Sequence, residues 1–271
     1  MKRILVLLFL QMLVYVVYAQ TNKNFTVGGV SFTMVYVQGG TYTMGATSEQ
    51  LEGLLYDDEE SLYDNAKPTH SVTLSDYMIG QTEVTQALWQ AVMGNNPSWF
   101  KGDSRRPVEN VSWNDCQTFL SKLNSLTGEH FRLPTEAEWE FAARGGVKSF
   151  GYMYSGSNII GNVAWYDENA LCNGEENNPN YGTHPVGTQF ANELGIYDMS
   201  GNVWEWCNDW YGDYSDSSQT NPRGPSSGMF RVYRGGSWDY LAKICRTSHR
   251  HNYWPDYRYN DLGFRLALAT S

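Results

Sequence analysis

Positive charge is scarce in this chain. It carries 19 Lys and Arg against 29 Asp and Glu, a formal net charge of −10. A nucleic-acid surface needs a basic footprint against the phosphate backbone, so that class is excluded, as are anionic membrane surfaces. Apolar runs long enough to span a bilayer are missing after the first residues. Cysteine is sparse: Cys116, Cys172, Cys207 and Cys245 are too far apart for any CxxC zinc or redox motif. No internal repeat and no Pro- or Ser-rich linker divides the chain. After residue 146 helical periodicity is absent as well.

The N-terminus reads as an export signal. Lys2 and Arg3 precede an apolar run from Ile4 to Tyr18, and Val17-Tyr18-Ala19 fits a small-residue cleavage site. We expect residues 1–19 to be removed. The run is shorter than the ~20 residues of a spanning helix. No Cys follows the cut to carry a lipid. The expected compartment is periplasmic, cell-surface or secreted, where disulfides persist. Four Cys allow three full pairings, and spacing does not choose among them. Residues 20–31 read as a short tail and 32–271 as the domain. The acidic run from Glu49 to Asp64 reads as a solvated loop.

The domain opens with strand signals at Phe32 to Val37, Thr41 to Met44 and Ser71 to Leu74, with Gly39-Gly40 as a turn. Three helix starts follow. Thr85 precedes Leu88, Trp89 and Val92 at helical spacing. Ser112 with Asp115, and Thr135 with Glu138, have capping-box spacing. Gly145-Gly146 stops the third helix. The remainder has Gly, Asn, Asp and Pro every few residues and predicts loops and short strands. Metal ions, disulfides or aromatic packing must then hold it together.

Several dense motifs punctuate this frame. Phe131-Arg132-Leu133-Pro134-Thr135-Glu136-Ala137-Glu138-Trp139-Glu140, Gly201-Asn202-Val203-Trp204-Glu205-Trp206, Arg234-Gly235-Gly236-Ser237-Trp238 and Leu262-Gly263-Phe264-Arg265 occur in that order. Thr82-Glu83-Val84-Thr85 and Pro107 to Trp113 precede them. This series resembles the formylglycine-generating enzyme, or sulfatase-modifying factor, family from about Val35 to Leu266. The resemblance implies an α+β fold, a loop-rich variant of the C-type-lectin-like fold with little regular secondary structure.

The resemblance also sets chemical expectations. The family's oxidase converts a sulfatase Cys to formylglycine with two cysteines that hold copper(I), a soft ion suited to paired thiolates. Counted from Gly235-Gly236-Ser237, Tyr240 stands at the first cysteine position and Cys245 at the second. Counted back from Leu262-Gly263-Phe264-Arg265, Cys245 falls a few residues off. A phenol cannot replace a thiolate, so copper is not expected. Cys245 and Ser237 remain the weak catalytic candidates; Ser237 lines the family's pocket but has no His–Asp partner visible in sequence. His249 and His251 share one face of a strand without a third ligand and read as ordinary polar residues.

For calcium, the resemblance implies the carboxylates of Asp198 and Glu205 with the carbonyls of Gly201 and Val203. A second site would use Asn162, the carbonyl of Val163, and Asn178. Trp204, Trp206, Trp210 and Trp238 read mainly as core, with one or two open to a groove. Cys207 follows Trp206 and Cys245 follows the Gly-Gly-Ser-Trp strand, so a Cys207–Cys245 disulfide is expected if those segments are neighbours. The function expected is an exported binding or envelope-assembly module with a protein, peptide or glycan partner. The alternative is a formylglycine-generating oxidase, or another oxidoreductase on the same scaffold.

Overall fold

The computed structural model describes residues 21–51, 64–171, 174, 176–178 and 180–270. The segment expected to be an export signal, most of the acidic run and Cys172 lie outside the described residues. Along the chain run β1 (Lys23–Val27), β2 (Val30–Val37), β3 (Gly40–Met44) and a single helical turn, α1 (Ser48–Leu51). Then come β4 (His70–Leu74), β5 (Tyr77–Gly80), α2 (Gln86–Met93), α3 (Trp113–Thr127) and α4 (Glu136–Ala143). The second half contributes β6 (Trp204–Trp210), β7 (Gln219–Thr220), β8 (Arg231–Arg234), β9 (Arg250–Tyr253), β10 (Leu262–Gly263) and β11 (Ala267–Ala269).

The strands form three small sheets. The first, in the order β1-β2-β5-β11, is antiparallel and joins the two ends of the described chain. The second, β10-β6-β8-β9, gathers the late motifs, with β10 parallel to β6. The third is β3-β4-β7. This is the mixed, loop-rich α+β architecture expected.

The N-terminal tail is a correction. Residues 23–27 are not a tail but strand β1, paired with β2 in the register Val27↔Val30. Gly28 and Gly29 both have positive φ, 56° and 82°, the requirement of the tight hairpin turn whose twist matches its strands. Phe25 then stacks on Phe32 and meets the edge of Phe131, at ring distances of 5.5 and 5.1 Å.

The three helix starts form as read. The Thr85 hydroxyl accepts from the Leu88 amide, and Ser112–Asp115 and Thr135–Glu138 are complete reciprocal boxes. Trp89 of α2 stacks flat on Phe119 of α3 at 5.2 Å, and both meet Phe264 edge-on. Helix α4 is unusual: all eight residues are buried, its three glutamates included. Buried carboxylates are tolerated only when paired, and each has an arginine. Glu136 accepts from Arg250 at 2.7 and 2.8 Å, Glu138 from Arg132 at 2.6 and 2.7 Å, and Glu140 from Arg144 and Arg234.

If β1 is a docked strand, Phe25→Ala lowers stability by about 1–2 kcal/mol through lost apolar burial. Urea unfolding measures this; an unchanged midpoint would return residues 21–27 to a loose tail.

Candidate functional site

The Gly201 to Trp206 motif enters the second sheet as β6. Its centre is Glu205, fully buried. The Arg265 guanidinium grips both oxygens at 2.6 Å, and the Trp139 indole N–H donates at 2.7 Å. Arg265 also donates to the carbonyls of Gly80 and Tyr197. One ion pair thus ties β6, α4, the first sheet and the Leu262 to Arg265 element together. Glu205, expected as a calcium ligand, thus has Arg265 and Trp139 as its partners within the chain.

Asp198 is different. One oxygen accepts from the Gly187 amide at 2.7 Å, while Oδ1 is buried with no hydrogen-bond partner. Burial raises its carboxyl to about 6. Beside it, burial and the charges of Asp198 and Glu205 push Glu83 well above the usual carboxylate range. Glu83 accepts from the Asn202 amide group and the Val203 backbone. Of the quartet Asp198, Gly201, Val203 and Glu205, Asp198 keeps one carboxylate oxygen without a hydrogen-bond partner, whereas both Glu205 oxygens accept from Arg265. In the second set, the Asn162 carbonyl accepts from the Phe190 amide, and the Asn178 side chain from the Asn180 amide.

The expected Cys207–Cys245 disulfide is absent; both thiols are free and buried. They belong to different cores. Cys207 packs with Val232 and Met199 near α4, whereas Cys245 packs with Tyr154, Val163 and Tyr166. Cys207 lies within β6, whereas Cys245 ends the short helical turn Ala242–Ile244 outside the sheets. Cys245 lies tight behind Gly236, whose Cβ, if present, would fall 2.5 Å from Sγ. Gly236 also has φ 71°, so only glycine suits the position. Burial raises the Cys245 thiol well above its ordinary value.

A pocket of about 330 Å³ opens beside this turn. Its walls include Trp204, Tyr233, Tyr240, Tyr257 and Tyr259. Asp239 and Asp261 also line it, and the Ser237 hydroxyl bridges them at 2.7 and 3.1 Å. Ser237 is therefore a link between two acids, with no base beside it. Burial, then the neighbouring Asp239 charge, lifts the Asp261 carboxyl to about 8. Trp204 and Trp238 are buried, Trp206 lies in the core, and half-buried Trp210 stacks on the Arg231 guanidinium at 3.5 Å. His249 is buried and His251 half-buried beside Trp204, and no metal-binding group of three His, Cys, Asp or Glu occurs among the described residues.

The fold and these motifs define a class, and comparison with known proteins gives the same one. Residues 21–270 match the Sulfatase-modifying factor enzyme 1-like domain, and the chain belongs to that family. It is 38% identical to a protein named Chaperone protein LppX from Paenibacillus barcinonensis, over 84% of this chain and 85% of that one. It is 36% identical to the formylglycine-generating enzyme of Streptomyces coelicolor, over 61% of this chain and 54% of that enzyme. Among solved structures it is similar to Treponema denticola variable protein 1, with a TM-score of 0.77 and 36% identity over 93% of this chain and 100% of that one.

Sequence reading missed Asp239, Asp261, Tyr257 and Tyr259 as pocket residues, and Arg265 as the partner of Glu205. A signal for the former was present: Asp239 to Asp261 is dense in Tyr, Trp and Asp. Removing the Glu205 carboxylate in Glu205→Ala strands a buried guanidinium and costs about 3–5 kcal/mol, read as a shift in urea midpoint; a near-neutral result would mean that the pair is not the anchor described. Asp261 supplies a pH test. Its proton stays bound in the folded protein up to about pH 8 but leaves the unfolded chain near pH ~3.9. Folding therefore binds a proton in that window, and stability from this group falls as pH rises through it. Wild type should lose more stability between those limits than Asp261→Asn; parallel pH profiles would refute the assignment.

Proposed function

We propose that this chain is an exported binding module of the sulfatase-modifying factor family rather than a formylglycine-generating oxidase. The observation that carries the reading is the pocket beside Ser237. Where the oxidase needs two thiolates for copper(I), Tyr240 presents a partly exposed phenol at the rim, and the Cys245 thiol is buried. The donor set does not fit copper(I): a phenol is a hard ligand, and burial keeps this thiol protonated. At its rim Tyr259 is exposed, as are Tyr253, whose ring packs on the lining Tyr257 at 4.1 Å, and Leu241, next to Tyr240 in the chain. Exposed aromatics and aliphatics clustered at one site are the usual anchors of a recognition surface. The partner is a protein, peptide or glycan outside the cytoplasm, and residues 1–19 direct the export.

The oxidase reading keeps one observation in its favour, the identity to the Streptomyces coelicolor formylglycine-generating enzyme. Incubation with a Cys-x-Pro-x-Arg peptide, Cu(I) and O2, followed by mass spectrometry, separates the two. No aldehyde is expected. Conversion that disappears in Cys245→Ala would overturn the binding-module reading.

Calcium stabilisation is retained in narrower form. The unpartnered Oδ1 of Asp198 supports it, with the carbonyls of Gly201 and Val203 as the remaining family positions; millimolar calcium outside the cell fills even weak sites of ~10⁻⁴–10⁻³ M. Chelator should lower the melting temperature of wild type and leave Asp198→Ala unmoved. Equal melting with and without chelator in wild type removes calcium from the proposal.

A further inference from the structure

We propose that the pocket between Trp204 and Asp261 takes a protonated alkylammonium group, the side chain of a lysine presented by a peptide segment. The inference rests on the binding-module reading and names the chemistry of its ligand.

Charge is the first reason. Asp239 and Asp261 approach the same Ser237 oxygen at 2.7 and 3.1 Å. A hydroxyl carries one proton, so it donates to one of these carboxylates at a time. Asp261 is only 4% exposed, so water does little to relieve the other. The lining includes no Lys, Arg or His among the described residues. Elsewhere the buried Glu136, Glu140 and Glu205 each meet a guanidinium. No guanidinium lines the pocket beside this pair, and above about pH 8, where Asp261 gives up its proton, the second negative charge calls for a cation from outside.

Wall chemistry is the second reason. Trp204 meets Tyr233 and Tyr240 edge-to-face at 5.0 and 5.4 Å, and Tyr257 lies parallel to Tyr259 at 6.1 Å. Aromatic faces attract organic cations, and the aliphatic stem of lysine is covered by the same rings. A bare metal ion suits this lining poorly, because calcium demands six to eight oxygens. An ammonium group donates three hydrogen bonds, which the two carboxylates and the phenols accept; a quaternary ammonium donates none. Size is the third reason. At about 330 Å³ the pocket is near the lower bound of ligand sites, about 300–1,000 Å³, and holds one side chain rather than an extended ligand.

The test is titration calorimetry at mildly alkaline pH with acetyl-Gly-Lys-Gly-amide and its Nε-acetyl-lysine and Nε-trimethyl-lysine forms. The lysine peptide should bind, the acetylated form should be weaker by roughly tenfold or more, and the trimethylated form should fall between them. Asp261→Asn should weaken the lysine peptide by a similar factor. Because Asp261 is buried, Tyr259→Leu, at a half-exposed site, provides a second variant that leaves the core intact and should also weaken it. Equal affinity for lysine and acetyl-lysine peptides, or undiminished binding in both variants, overturns the proposal. An n-butylamine arm separates the sources: affinity below that of the peptide supports a polypeptide ligand, and equal affinity overturns the peptide part. Failure of all amine probes, alongside capture of other peptides or glycans on an array that is lost in Tyr259→Leu, refutes the ammonium ligand while leaving the binding-module reading intact. An array with no such hit, together with aldehyde formation from the sulfatase-type peptide, sinks that reading itself.

Discussion

Everything in this fold is hung from carboxylates that have no water. Helix α4 is buried on every side, and β6 carries Glu205 into the same interior. An ionised carboxylate in such a place is tolerated only if a cation meets it with good geometry. Arg234, Arg250 and Arg265 are accordingly as buried as any phenylalanine here. Each comes from the last forty residues of the chain and reaches back to an acid placed earlier. Arg234 closes on Glu140, Arg250 on Glu136 and Arg265 on Glu205. These long-range pairs do for a helix-poor second half what regular secondary structure does elsewhere.

That anchoring has a consequence for the pocket. The stretch from Gly235 to Asp261 leaves one buried arginine, Arg234, and returns shortly before another, Arg265. Between them β9 is pinned once more, by Arg250. The intervening loops therefore need little structure of their own and carry Tyr240, Leu241, Tyr253, Trp254 and Tyr259 outward. A rigid base with side chains displayed on irregular loops is a common way to build a binding surface. The scaffold residues and the pocket residues alternate along one segment of chain, yet they answer to different constraints.

Much of the fold was legible because it is local. Thr85, Ser112 and Thr135 mark helix starts through hydrogen bonds made within three residues. The motif series named the family because its order is preserved. β1 was less legible: Lys23 to Val27 is polar and short, and becomes a strand only when Gly28-Gly29 folds it onto β2. The disulfide failed, and the partner of Glu205 was missed, for one reason: packing put Cys207 and Cys245 in separate clusters and gave Glu205 to Arg265, sixty residues away.

The sequence by itself determined the family, the helix caps and the scarcity of basic charge. These are matters of residue identity or of neighbours a few positions apart. Only the tertiary structure decided which acid meets which arginine, which acids meet none, and that Asp239 and Asp261 share a single hydroxyl inside an aromatic pocket. Pairing across the chain is fixed by burial and distance, and neither quantity is written in the order of the residues.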